Sequence, residues 1–132
     1  MKIKLLSILA FSAMCSSANE PVLLNKGLEM SSAEISEAKI SALRGSGADA
    51  LRLYAYYEIV SVNESESIHW ATISAENGFP QGMYVLGFKL SKNAQDKESK
   101  VRALYWLMEA KIRGVDLAGG VIKSLQDKEP KS

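Results

Sequence analysis

The chain carries one cysteine, one histidine and three prolines in 132 residues, and it has no convincing stretch of strict apolar–polar alternation. Each scarcity removes a class of protein. A single cysteine closes no disulfide within the chain. One histidine and one cysteine cannot supply a His/Cys zinc set, and no carboxylate spacing suggests a substitute, so no metal or cofactor is expected. Without alternation there is no half-buried strand, and so no strand-to-loop phosphate site. Charge of one sign is missing too. Sixteen basic residues face fifteen acidic ones, which predicts neither nucleic acid nor an anionic membrane as partner.

Long apolar runs are confined to residues 5–14, where Ser7 and Ser12 interrupt the run. Lys2 and Lys4 precede it and Ser16-Ser17-Ala18 follows, which is the layout of a secretory signal peptide. The run is too short for a permanent membrane span. Cleavage is expected after Ala18. A lipid anchor at Cys15 is not expected, because Met14 and Ser12 stand where a lipoprotein signal has a small residue and a leucine. Losing Lys2 and Lys4 leaves fourteen basic against fifteen acidic residues, a net charge of −1. The mature protein is therefore expected in the periplasm or outside the cell, free of cysteine, monomeric and held by packing alone.

What is present is helical periodicity. Residues 19–30, with Pro21 and the turn signal Asn25-Lys26-Gly27, read as an irregular leader laid on the first helix. Ser31 and Glu34 form a capping-box signature for a helix over 31–44, stopped by Gly45 and Gly47. A second helix is predicted over 48–61. A third is capped by Asn63 in the same way, with Glu66 in the carboxylate position, and ends at Gly78. Pro80 opens a fourth, to about Ser91. Residues 92–99 read as a polar connector, residues 100–113 as a fifth helix before Gly114, 116–126 as a sixth, and 127–132 as a solvated tail.

The chain also resembles itself. Ala38-Lys39-Ile40-Ser41-Ala42-Leu43-Arg44-Gly45 and Ala71-Thr72-Ile73-Ser74-Ala75-Glu76-Asn77-Gly78 share five of eight positions at an offset of 33. A third copy lies 36 further on, with Trp70 on Trp106, Gly78 on Gly114 and Gly82 on Ala118. The three extra residues fit the 92–99 connector. A helix pair cannot bury its own apolar faces, whereas stacked pairs bury each other's. Ser41, Ala42, Ser74, Ala75, Gly82, Ala110 and Ala118 are small enough to allow close approach. The expected fold is all-α, a short α/α solenoid of about three helix-turn-helix units over 31–126.

Residues 103–114, Ala-Leu-Tyr-Trp-Leu-Met-Glu-Ala-Lys-Ile-Arg-Gly, resemble a helix of a Sel-one-like repeat, a relative of the tetratricopeptide repeat. In residues 67–90, Trp70, Ser74, Ala75, Gly78, Gly82, Leu86 and Gly87 fall on that pattern. The first unit departs from it at Glu37 and Asp49, and the last at Lys111 and Lys123, as end units facing solvent do. The resemblance covers about residues 34–126. It implies a protein-binding stack. Small exported members of the family include immunity proteins that neutralise toxic effectors, such as phospholipases delivered by type VI secretion. A general envelope adaptor is the alternative within that class. A hydrolase-like branch of the family is cysteine-rich, which the mature chain is not, and end-to-end stacking into an oligomer is discouraged by the polar tail.

No catalytic residues are expected. His69 has Glu66 and Ile73 among its helical neighbours, and a lone histidine beside a tryptophan on a helix reads as surface or groove lining. Glu64, Glu66, Asp96 and Glu98 sit at helix starts, where negative charge complements the helix dipole. A partner surface is the better reading. The fifth helix has an inner stripe, Ala103, Trp106, Leu107 and Ala110, and a second one, Leu104, Met108 and Ile112, open to the sixth helix, the tail or a partner. Tyr54, Tyr56 and Tyr57 cannot all face inward. Repeat stacks present their first helices along a concave face. On this geometry the partner, a secreted toxin or an envelope protein, is expected to meet Tyr56, His69, Thr72, Glu76, Tyr105, Met108, Glu109 and Ile112.

Overall fold

The computed structural model describes residues 27–128. The expected signal peptide, its cleavage site, Cys15, residues 19–26 of the leader and residues 129–132 of the tail lie outside the described residues. Within them the chain is all-helical: α1 (Ser32–Leu43), α2 (Gly47–Ala55) continued by a π-helical turn (Tyr56–Val60), α3 (Glu64–Glu76), α4 (Pro80–Lys92), α5 (Lys97–Ile112) and α6 (Leu117–Asp127).

Local chemistry sets most of these ends. Ser31 and Glu34 make both bonds of the capping box, at 3.3 and 2.8 Å. Asn63 Oδ1 accepts from the Glu66 N–H at 3.1 Å, but the Glu66 carboxylate turns away to accept from Trp70 Nε1 at 3.0 Å, so this cap is single. Pro80 begins α4, where its missing N–H leaves no bond unmade. Gly45, Gly78 and Gly114 follow α1, α3 and α5 with φ of +112°, +80° and +93°. At each, the next residue's N–H reaches back five positions: Ser46 to Ser41 and Phe79 to Ser74 at 3.1 Å, Val115 to Ala110 at 3.0 Å. Three helices thus end in the same left-handed glycine reversal.

Three expectations need correction. The connector after α4 is shorter than residues 92–99, because the Asp96 carboxylate accepts from the Ser99 N–H at 2.7 Å and α5 starts at Lys97. From Asn63 and Asp96, the caps, the offset is 33; from Trp70 and Trp106 it is 36. The three extra residues therefore lengthen α5 ahead of Trp106, to sixteen residues against thirteen in α3. Gly47 does not stop α1 but is the first residue of α2, and a Cβ there would lie 2.5 Å from Phe79 Cβ. Finally, α2 does not remain α-helical to Ser61. It widens into the π turn, which ends at Val60, and Val62, two residues on, has a φ of +50°.

Each helix packs on the next, and α2 also touches α4 as α4 touches α6, giving a repeat-like order. Trp70 of α3 shares a buried cluster with Ala38 and Ala42 of α1 and Ala50 and Leu53 of α2. Trp106 of α5 does the same with Ala71 and Ala75 of α3 and Met83 and Leu86 of α4, in the cluster that α6 closes with Ala118 and Leu125. Gly87 brings α4 onto α5, since a Cβ there would stand 2.8 Å from Leu107 Cγ and 3.0 Å from its backbone nitrogen. At Lys123, the position matching Gly87, the side chain is exposed.

Candidate protein-binding face

The extra turn of α5 matters because it extends an uncovered side of the helix. Val101, Tyr105, Met108 and Ile112 are 58%, 49%, 52% and 76% exposed. Their spacing of four, three and four places them on one helical face. At the N-terminal end a depression of about 440 Å³ is lined by Lys97, Glu98, Val101, Arg102 and Tyr105. At the other end, where α5 meets α6, a depression of about 410 Å³ is lined by Met108, Lys111, Ile112, Ile122 and Gln126. The stripe joins the two.

Tyr105, Met108 and Ile112, expected at a partner surface, are thus brought together. Glu109 is half-buried at the edge, paired with Arg113 one turn on. Leu104 does not join Met108 and Ile112 outside, because it packs against the core. The other expected residues do not complete the apolar face. His69 is exposed on α3, its ring edge-on to Trp70 at 4.9 Å. The Thr72 hydroxyl is turned onto its own helix, donating to the Ile68 carbonyl at 2.8 Å. Glu76 is exposed near the end of α3. Tyr56 lies in the π turn, half-buried, edge-on to Tyr57 at 5.1 Å, and lines neither depression of α5. At the offset of 36, His69, Thr72 and Glu76 are the counterparts of Tyr105, Met108 and Ile112, so α3 presents polar groups where α5 presents apolar ones.

Val101, Lys97 and Arg102 escaped the sequence reading. The signal was there, since Val101 stands one turn before Tyr105. Placing the helix start at Lys100 hid it in an end turn. The Arg102 guanidinium lies 5.8 Å from the Tyr105 ring centre and 5.2 Å from that of Trp106. Tyr105 and Trp106 meet edge-on at 5.0 Å.

The displaced titrations have structural causes. The Ser31 backbone N–H holds the Glu34 carboxyl below its usual range, and the Ser99 N–H does so for Asp96. The Ser41 hydroxyl, then Ser46, lowers Asp49, whose unexpected place in α2 is explained by the bond it accepts from Ser41. Lys89, at 2.6 Å, lowers Glu58. Burial, then Glu58, raises Tyr54. Among the described residues no group of three or more His, Cys, Asp or Glu side chains is placed to hold a metal ion, and no helix is long and apolar enough to cross a membrane. Compared with protein-family models, curated proteins and solved structures, the chain matches none.

Proposed function

We propose that this chain is an exported, non-enzymatic protein-binding module built of three stacked Sel-one-like helix pairs, and that it grips its partner through the outer face of α5. The observation that carries the reading is the stripe Val101, Tyr105, Met108 and Ile112. Large apolar side chains left together on one face, between two depressions, mark an interaction surface rather than a stray exposed residue. The matching glycine reversals and the two tryptophans that each pack on the preceding helix pair support the repeat. A non-enzymatic role is supported by the displaced carboxylates, each of which is tied to a cap, a hydroxyl or an ion pair.

Within this class the immunity role is the finer proposal: the partner is a toxic effector met in the periplasm. Affinity capture from the native envelope tests the broader reading, using the chain from Asn19 onward and its Tyr105→Ser/Met108→Ser/Ile112→Ser variant. A protein held by the parent and released by the variant, at equal thermal stability, is the expected result. Equal capture by both ends the reading of α5. Rescue of cells from the captured protein, when it is directed to the periplasm, tests the immunity role. Capture of several unrelated envelope proteins by the same face points to an adaptor instead.

A further inference from the structure

Trp70 and Trp106 hold corresponding places but differ in one bond. Trp70 Nε1 donates to the Glu66 carboxylate, one turn earlier on α3, at 3.0 Å. One turn before Trp106 the chain has Arg102, which has only donors to offer. Trp106 is 7% exposed, and its indole N–H is buried without an acceptor among the described residues. A buried donor left unpaired is unfavourable and calls for an explanation. Above that ring lies the Arg102 guanidinium, which with Lys97 and Glu98 also edges the depression walled by Val101 and Tyr105. Two cations there outnumber one carboxylate, and Glu98 already answers the positive end of the α5 dipole.

The geometry points to a carboxylate-bearing, aliphatic segment of a partner protein as the occupant of this end of the stripe, an inference that rests on α5 being the protein-binding face. The partner's Asp or Glu accepts from Arg102, in the two-bond fork that guanidinium and carboxylate favour. Drawing Arg102 off the indole lets the same carboxylate accept from Trp106 Nε1, in the role Glu66 plays for Trp70. A Leu, Ile or Val beside it covers Val101 and the Tyr105 ring. A basic segment would set cation against cation and leave the indole unpaired.

The test uses the chain from Asn19 to Ser132, labelled with ¹⁵N, and three short helical peptides that carry Leu with Glu, Gln or Lys on one face. The glutamate peptide is expected to move the Trp106 indole N–H signal downfield and leave that of Trp70 in place. The glutamine and lysine peptides are expected to bind at least about tenfold more weakly. Arg102→Gln should cost the glutamate peptide a similar factor without shifting the thermal midpoint. Arg102→Glu supplies an internal carboxylate, and should move the Trp106 signal with no peptide present. No shift with the glutamate peptide, or equal binding of all three peptides, overturns the inference. Against the captured partner, the two readings separate. If Arg102→Gln still captures it and the Tyr105/Met108/Ile112 variant does not, the carboxylate falls and the face stands. If neither variant affects capture, the face falls as well.

Discussion

The Ser74 hydroxyl donates to the Gly47 carbonyl at 2.7 Å, joining α3 to the first residue of α2 across 27 positions of chain. The same side chain is wholly buried against Gly82 of α4, where a Cβ would come within 2.6 Å of Ser74 Cβ and 2.8 Å of its carbonyl carbon. Three helices meet around one serine because two of them offer glycine there. Gly82→Ala is therefore expected to destabilise by about 3 kcal/mol, the upper part of the range for overpacking. Ser74→Ala should not rescue it, since the backbone carbon remains in the way. Gly120, on α6, has open space where a Cβ would stand, with nothing within 4 Å, so Gly120→Ala should stabilise by about 0.5–1 kcal/mol through helix propensity. Urea denaturation of the three variants checks the contrast.

Val62 is an exposed β-branched residue at φ +50°, a region that costs an L-residue with a branched side chain roughly 1–2 kcal/mol. Val62→Asn keeps the turn and relieves that strain. A rise in stability of about 1 kcal/mol is expected. An unchanged or lower melting temperature would count against a strained exit from the π turn.

Acid should weaken the fold through Asp49 and Glu58. Both carboxyls have folded pKa values below their unfolded ones, from the Ser41 hydroxyl and the Lys89 ammonium respectively. The stabilisation they contribute is present above the unfolded values, roughly pH 4, and drains as pH falls through the lower folded ones. Denaturation midpoints should hold from neutrality to about pH 5 and decline below about pH 4. Ser41→Ala should lower the midpoint at neutral pH and make the acid limb shallower.

The two tryptophans should respond differently to removal of the indole nitrogen. Trp70→Phe loses the bond to Glu66, whereas Trp106→Phe loses no bond within the described chain. The first substitution is expected to cost about 1 kcal/mol more than the second. Equal costs in matched urea titrations would contradict the pairing.

Ile112→Ser and Met108→Ser should each change stability by no more than about 0.5 kcal/mol, because both side chains are mostly in water. Leu107→Ala, one residue from Met108 but fully buried against Gly87, should cost about 2–5 kcal/mol. Thermal melts of the three variants separate the outer side of α5 from its core side.

Much of the helix layout was legible because its signals are short-range. Ser31 with Glu34, Asn63, Pro80, and the glycines at 45, 78 and 114 act within a turn of the residues they cap or stop. The misreadings share a cause. Asp96 reads as a helix-start carboxylate, yet residues 97–99 read as connector, and only the bond from the Ser99 N–H to Asp96 makes them the first turn of α5. Gly47 looked like a stop because its reason for being glycine, Phe79, is far away in sequence. Leu104 and Met108 are both large and apolar on α5, and the packing of neighbouring helices covers the first and leaves the second exposed.

Residue order therefore settles where this chain turns helical, where it reverses and which side chains are small. Those outcomes depend on bonds and dihedrals within a few positions. Which face of α5 stays uncovered, why Arg102 lies over Trp106, and which glycine is a point of contact follow from helices brought together from distant stretches of chain. Burial belongs to pairs of surfaces, and no single segment carries that information.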